Sequence, residues 1–551
     1  MCNGPMPGSS TNQVPPRVGV DEFSANAALV DGVRRYGAGW ASGALAAVGR
    51  LVGSAEFHEQ ARLANLHPPL LHALDRYGER QDEVEYHPSY HRVLGDAIAH
   101  GAHTSSWADP RPGAHVARAA AFMLFAQIEP GHACPVSMTH AAVPALAREN
   151  AVGRSWLPLL YGTGYDPRLV RPAEKPGMLV GMAMTERQGG SDVRANTTRA
   201  VDTGDGTARI TGQKWFCSAP MSDAFLVLAQ ESAGLSCFLV PRVLDDGTKN
   251  TFRIVRLKSK LGNRSNASAE VEFEDTLGWR IDEPGRGVRA IIEMVHETRI
   301  DCVLGSAAGM RQAVTEAVWH ARHRRAFGRL LIDQPAMAAV LADLAIEAEA
   351  ATALGLRLAA TDDGGTPQGP HVSSRERSFA RLATAVGKFW VCKRGPGHAA
   401  EALECLGGNG YTEDFPLALR YREQPVMAIW EGSGNVVALD VLRTLAREPS
   451  SAEALADELE TQRGVDPTLD RQLGRALSLL SDAVHEPEEA QPWARRLAEE
   501  LALALQAVLL VGHAPSSVAE AFVAARLGEQ RALGYGCLPD KAAVKDILDR
   551  V

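Results

Sequence analysis

The chain has 551 residues, 22% of them charged, and a formal net charge of −9. That length supports two to four domains or one large layered unit rather than a single small core. The acidic balance gives no overall attraction to nucleic acid or anionic lipid, and no run of about eighteen apolar residues is present to cross a membrane.

The eight cysteines, from Cys2 to Cys537, are scattered and form no C-x-x-C pair. Most lie in apolar stretches, which predicts buried thiols in a reducing compartment and no zinc or other metal site. Met1 to Val18 is rich in Gly, Pro, Ser and Asn and has no apolar core. It reads as neither a signal peptide nor an Arg-rich transit segment, predicting a flexible tail over residues 1–20 and a cytoplasmic location.

Residues 21–177 read as mainly helical, with a buried-helix run at Ala117–Phe125 and breaks at Pro68-Pro69, Pro88, Pro110 to Pro112 and Pro130 to Pro135. The texture changes over residues 178–287. Short runs rich in Val, Ile, Phe and Trp alternate with turn signals such as Asp205-Gly206, predicting an antiparallel sheet. The expected strands are Leu179–Met184, Ala208–Cys217, Ala224–Ala229, Ser236–Val240, Phe252–Leu257 and Ala269–Phe273. Helical periodicity returns over 288–447, with a long helix at Gln334–Ala360 and a Gly/Pro/Ser linker at Asp362–Ser374. A further helix is expected over Ser378–Leu406, broken or kinked by Gly395-Pro396-Gly397. Residues 448–551, rich in Ala, Leu and Glu, predict additional helices.

Gly395 to Ala400 and Gly285 to Ala290 both satisfy G-x-G-x-x-A, but neither sits between a parallel strand and a helix with an acidic residue about twenty positions on. They are chance matches. Gly387-Lys388 lacks the rest of a phosphate loop. Other segments carry more chemistry. Met182 and Met184 lead into Thr185-Glu186-Arg187-Gln188-Gly189-Gly190-Ser191, where glycines and hydroxyls let backbone N–H groups approach a flat or phosphorylated ligand. Trp215-Phe216-Cys217-Ser218 adds an aromatic wall. Arg324, ahead of Phe327-Gly328, stands at a helix edge where it can reach a pyrophosphate. Leu406-Gly407-Gly408-Asn409-Gly410 precedes Trp430-Glu431-Gly432-Ser433-Gly434-Asn435, where one carboxylate lies between a bulky aromatic and a polar turn. A base that removes a carbon-bound proton needs such a partly dry, reachable setting.

In order and approximate spacing these segments resemble the acyl-CoA dehydrogenase flavoproteins. The likeness is closer to the alkylation-response, AidB-like branch, through Gly37-Ala38-Gly39-Trp40, Arg62 to Asn65, Met184 to Asp192, Lys260 to Ser268 and Trp430 to Asn435. It covers roughly residues 25–445. The resemblance implies an α+β fold that is mainly α: an N-terminal helical domain, a middle antiparallel β-barrel, a C-terminal helical bundle and extra C-terminal helices. It also implies FAD as cofactor. Met182, Met184, Thr185, Gly190 and Ser191 would then hold the ring edge and a flavin phosphate, with Phe216 covering the ring and Ser218 near N5. Arg324 and Phe327, with Glu404, Gly407 and Gly408, would serve the cofactor across a subunit interface, implying a dimer or tetramer. Ser433 and Asn435 fall where the family sets polar residues on the cofactor. Glu431 falls on the usual catalytic base, which takes the α-proton of an acyl-CoA thioester while hydride leaves the β-carbon. Arg299 and Trp430 would shape the substrate pocket, and an electron-transferring flavoprotein would accept the electrons. Arg187-Gln188 departs from the family's usual Pro-Gly, Glu404 replaces a frequent Gln, and Gln334-Pro335 is displaced against a His-Gln. Glu297 offers another carboxylate, but some members place their base at the position matching Thr298. A one-residue shift on a helix turns a side chain by about 100°, which favours Glu431.

The branch is also linked to double-stranded DNA through a basic C-terminal surface. From Ala446 onward this chain has eleven Lys/Arg against eighteen Asp/Glu, which disfavours DNA. Arg471, Arg475, Arg495 and Arg496 could form a small patch, although nearby Glu residues are the expected partners. The alternative reading is therefore a protective, DNA-associated flavoprotein with weak or vestigial dehydrogenase activity.

Overall fold

The computed structural model describes residues 12–147, 151–363, 365–366, 369–370, 372–529, 531–539 and 542–551. They fall into two units. One comprises residues up to Ala55, Cys302–Thr361 and Ser373–Val551; the other comprises Glu56–Asp301 and Asp362–Val372.

In the second unit, the helices Ala114–Ile128 and Ala133–Leu146 are largely enclosed. Every residue of the first is buried, as its all-round apolar sequence requires. Its one guanidinium, Arg118, is compensated by a two-pronged pairing with Asp301 (Nη2 to Oδ2, 2.9 Å), both side chains 3% exposed. This helical region also holds an unexpected hairpin, β1 (Leu70–Leu74) with β2 (Arg80–Glu85), Leu70 opposite Glu85. Its turn signals were present in the sequence: Asp75 Oδ1 accepts from Tyr77 N (2.8 Å) and Glu79 N (2.9 Å), and Gly78 takes φ +86°.

The strands that follow are β3 (Val180–Ala183), β4 (Arg199–Asp202), β5 (Thr207–Ser218), β6 (Ala224–Glu231), β7 (Gly234–Pro241), β8 (Arg253–Leu257) and β9 (Ser268–Arg280). Strands β4, β5, β9, β7 and β6 pair in a closed ring, with β3 added to β6 and β8 to β9. The six expected strands are present; β4, short and largely exposed, was not expected. The sheet is not wholly antiparallel. β3 runs parallel to β6 (Val180 opposite Ala224), and β4 meets β6 in parallel at Arg199 and Gln230, because each crosses the barrel before its partner begins. Leu226, Leu228, Cys237 and Leu239 of the barrel share one core with Leu146, Trp156 and Leu160 of the helices.

In the first unit, Pro335–Ala359 and Ser374–Cys405 pack against each other, and Ala494–His513 packs on both. The helix Ser374–Cys405 runs unbroken for 32 residues through Gly395-Pro396-Gly397, contrary to the expected break. Pro396 removes one backbone donor, but Cys392, Gly395, His398 and Ala399 around it are buried, and their packing outweighs that loss. The added C-terminal helices are part of this core: Trp390 Nε1 donates to Gln506 Oε1 (3.1 Å), and Arg526 pairs with Asp343 (2.6 Å) and Glu347 (2.9 Å).

Residues 12–18, expected to be loose, are tied down. Trp319 Nε1 donates to Pro15 O (2.8 Å), Arg324 donates to Asn12 O, and buried Arg17 pairs with Glu22. Six of the seven described cysteines are free and buried, as expected of most of them, and Cys537 is free and exposed; Cys2 lies outside the described residues. No described helix is long and apolar enough to cross a membrane.

Candidate active site

Each unit gathers part of the expected site. In the second, the strand β3 carries half-buried Met182 and opens into the Met184–Ser191 loop. Trp215 N donates to Thr185 O (2.8 Å), so loop and β5 are joined directly. Beneath the loop, Glu186 accepts from Thr197 N (2.6 Å), Thr198 N (3.1 Å) and Lys214 Nζ (2.9 Å). Burial pushes this carboxyl up, but those donors outweigh it and hold its pKa at about 2. Glu186 is thus a fixed anion that anchors the loop. Gly190 cannot be replaced cheaply, because a Cβ there would stand 2.4 Å from Thr185 Oγ1. Gly190 and Ser191 are exposed at the tip. Phe216 projects from β5 with 51% of its surface exposed, an unusual posture for a strand phenylalanine. Two residues on, Ser218 Oγ lies 3.2 Å from Ser268 Oγ. Arg299 is buried.

In the first unit, the helix Pro416–Met427 ends at Ala428, and Trp430 N closes back on Val426 O (3.1 Å). The chain then turns through Glu431 at φ +58° and Gly432 at φ +111° before the helix Gly434–Arg447. A left-handed glutamate is a backbone outlier that the surroundings must enforce. Lys388, 1% exposed on the Ser374–Cys405 helix, supplies that enforcement by donating through Nζ to Gly432 O. Trp430 is half-buried, its Nε1 enclosed without a hydrogen-bond partner. Ser433 and Asn435 are exposed, and Asn435 Oδ1 accepts from Arg495 Nη1 (3.0 Å). Glu404 and Gly407-Gly408 are exposed at the end of Ser374–Cys405, where Gly407 takes φ +60°. Arg324 and Phe327 lie in another place in this unit, beside and within the hairpin β10 (Arg325–Ala326) and β11 (Arg329–Leu330). Phe327 is 98% exposed at φ +50°, and Gly328 follows at φ +78°.

Sequence reasoning missed Lys388 and Arg495 as neighbours of the Glu431 turn. A lysine inside the apolar run Ala383–Val391 was the available signal for Lys388, since a buried ammonium must find acceptors. Arg495 had no such signal. Glutamates were the expected partners of Arg471, Arg475 and Arg495; among the described residues they donate instead to Thr468 Oγ1 (3.1 Å), Gln472 Oε1 (2.6 Å) and Asn435. Glu297 is buried and faces His140 (3.3 Å), with its pKa pushed up to about 8 by burial and by Asp301.

Comparison with known proteins assigns the class. Three family descriptions match in succession: adaptive response protein AidB N-terminal domain over residues 12–167, acyl-CoA dehydrogenase middle domain over 181–276, and acyl-CoA dehydrogenase C-terminal domain over 285–446. The chain belongs to the acyl-CoA dehydrogenase family, in its AidB-like branch. It is 46% identical over 480 residues to the putative acyl-CoA dehydrogenase AidB of Escherichia coli, covering 87% of each chain. The crystal structure of Caenorhabditis elegans ACDH-11 in complex with C11-CoA superposes with a TM-score of 0.85 at 25% identity, covering 96% of this chain and 94% of that one. An acyl-CoA dehydrogenase from Bacillus anthracis, complexed with FAD, shares the fold at a TM-score of 0.62 and 18% identity, over 79% of this chain and 77% of that one.

Proposed function

We propose that the chain is an FAD-dependent acyl-CoA dehydrogenase in which Glu431 removes the α-proton of an acyl thioester. The observation that carries this reading is the Glu431 turn itself: a carboxylate held at φ +58° between Trp430 and Gly432, with the buried Lys388 ammonium on the next carbonyl. Strain of this kind persists where a side chain must be aimed. Three further observations fit a flat, phosphorylated cofactor. Phe216 is exposed on its strand, Phe327 is exposed at a left-handed position, and a Cβ at Gly407 or Gly408 would meet nothing within 4 Å, leaving open backbone. FAD, when bound, supplies the hydride acceptor for the β-carbon. The chain supplies the rest. Met182, Met184, Thr185, Gly190, Ser191, Phe216 and Ser218 seat the ring; Arg324, Phe327, Glu404, Gly407, Gly408, Ser433 and Asn435 hold the remainder. The Glu431 backbone N–H polarises the thioester carbonyl and so acidifies the α-carbon. Trp430, next to the base in the chain, and Arg299 are the residues that the family resemblance assigns to the acyl group. An electron-transferring flavoprotein is the expected acceptor, and a cytoplasmic dimer or tetramer the expected form.

The purified chain should be yellow and release FAD on denaturation. A panel of acyl-CoA esters should bleach the flavin band, and Glu431→Gln should keep the colour while slowing bleaching by about 10²–10⁴-fold. Bleaching at the wild-type rate in that variant would assign the base elsewhere.

One observation favours a second reading, a phosphate-binding and DNA-associated role. Arg471, Arg475 and Arg531 line one cleft of about 550 Å³ with Leu527, Gly528 and Glu529, despite the acidic surroundings. Retention of duplex DNA at about 0.15 M salt, lost on Arg471→Glu with Arg475→Glu, would support it; salt-sensitive binding unchanged by both would not.

A further inference from the structure

Within the first unit, cations from two different helices gather where the helix Gly434–Arg447 begins. Lys393 is half-buried on the helix Ser374–Cys405. Its side chain lies against the first residue of the neighbouring helix: a Cβ at Gly434 would stand 2.6 Å from Lys393 Cε and 2.7 Å from Nζ. Glycine is the residue that leaves room for an ammonium so close to the backbone. Arg495 reaches the same turn and donates to Asn435 Oδ1 (3.0 Å). One ring carries both cations, with Lys393 Nζ 5.5 Å and Arg495 Cζ 5.8 Å from the centroid of buried Phe389. Buried Lys388 adds a further charge just upstream, on Gly432 O. Among the described residues neither Lys393 nor Arg495 has a carboxylate partner. Burial, then Arg495 and Lys388, lower the pKa of Lys393, as crowded like charges must. The helix adds to the same imbalance. Ser433 makes no side-chain cap and the first turn holds no acidic residue, so no side chain of that turn answers the positive end of the dipole.

We propose that Lys393, Arg495 and the opening turn of Gly434–Arg447 form a binding site for a phosphate anion of the kind that nucleotide ligands carry. A guanidinium fork and an ammonium beside a helix N-terminus suit phosphate oxygens, and a phosphate between the two cations relieves their repulsion. Lys388, held on Gly432 O, contributes charge from behind the turn rather than a contact. Arg495 lies outside residues 285–446, which match the acyl-CoA dehydrogenase C-terminal domain, so the added C-terminal helices supply one side of the site. The diphosphate of FAD and the phosphates of CoA share this chemistry. As the seat of either, the site rests on the acyl-CoA dehydrogenase reading; the cation cluster itself does not.

The test uses the purified full chain, as isolated and after removal of any flavin, with inorganic pyrophosphate as the probe. Calorimetric titration of the flavin-free chain should give one saturable site per chain. Lys393→Gln and Arg495→Gln should each weaken it by about tenfold or more, since each removes a charge-assisted contact. Arg496→Gln, at the exposed neighbouring position, should leave it unchanged. Both site variants lie at positions that are exposed or half-buried and should keep the wild-type circular dichroism. Because this titration needs no flavin, a colourless chain would sink the flavin reading and leave the anion site open to measurement. Competition by FAD assigns the site to the flavin diphosphate, competition by CoA in the flavin-loaded chain assigns it to the thioester carrier, and competition by neither leaves free phosphate as the ligand. If removal of flavin unfolds the chain, release of FAD on dilution carries the same comparison, with both site variants about tenfold weaker and Arg496→Gln unchanged. Absence of a saturable pyrophosphate site, or an affinity and flavin release that Lys393→Gln and Arg495→Gln leave unchanged, would overturn the proposal.

Discussion

Glu431 and Phe327 are both non-glycine residues in left-handed backbone, at φ +58° and +50°. Each costs energy that local propensity does not return. At Glu431 the cost is met by Lys388, whose ammonium lies on the next carbonyl. Lys388→Met should therefore leave FAD content unchanged and lower the rate of substrate bleaching by about 10²-fold, because a displacement of about 1 Å at a base has that effect; a wild-type rate by stopped-flow absorbance would remove Lys388 from the argument. Phe327 is 98% exposed, so burial of its ring does not offset that cost. Asn tolerates its backbone better, so Phe327→Asn should raise stability by about 1 kcal/mol while weakening FAD retention on gel filtration. Both positions were legible as candidate site residues from the motifs around them. Their strained backbone was not, because φ at a turn depends on which groups hold the turn closed.

At the scale of elements, the helix Ser374–Cys405 shows how packing overrides local signals. Its Gly-Pro-Gly run reads as a break, yet the helix continues because the run is a packing site. Gln424 lies where a Cβ at Gly395 would stand 2.4 Å from Oε1 and one at Gly309 would stand 2.0 Å from Nε2. Gly395→Ala should cost about 1–3 kcal/mol through overpacking, read as a lower urea midpoint, although alanine is the better helix former. The helix Pro467–His485 shows a local signal that was sufficient. Asp466 accepts from Thr468 N (2.7 Å) and Leu469 N (2.9 Å), so Asp466→Ala should cost about 0.5–2 kcal/mol. The strands were legible from β-branched alternation wherever they were long and buried. β1, β2 and β4 were not, being short and largely exposed, with only turn residues to announce them.

Across the whole molecule, buried charge sets the acid limit. Burial pushes the carboxyls of Glu129 and Glu347 up, but their donors outweigh it: His132 and Ser265 for Glu129, Arg394 and Arg526 for Glu347. With Glu186, all three are held at about 2 against an ordinary 4.5. Folded pKa values below the unfolded ones contribute stability that is present above pH 4.5 and is lost as pH falls towards 2. Buried His140, with its pKa lowered to about 3 by burial and by Arg118, acts in the same sense, since the unfolded ring takes its proton first. Glu297, Glu316 and Asp363 are raised to about 8, 7 and 7, so they are already protonated in the folded chain here; their opposing contribution comes mostly above pH 4.5 and fades as the unfolded carboxyls finish protonating. The urea midpoint should therefore fall continuously from pH 4.5 to pH 2.5; a flat profile across that window would mean these carboxylates are not ionised in the folded chain.

The amino-acid order alone determined the class of this protein. Helical and strand periodicities marked the helical and β regions, and the glycine, aromatic and carboxylate motifs could be read because each is local in sequence. Only the tertiary structure decided what lies next to those motifs. Lys388 reaches Gly432 from 44 residues upstream, Arg495 reaches Asn435 from 60 residues downstream, and His140 meets Glu297 across 157 positions of chain. Such pairings follow from how buried faces pack, and packing is a property of the folded surface that no window of sequence contains.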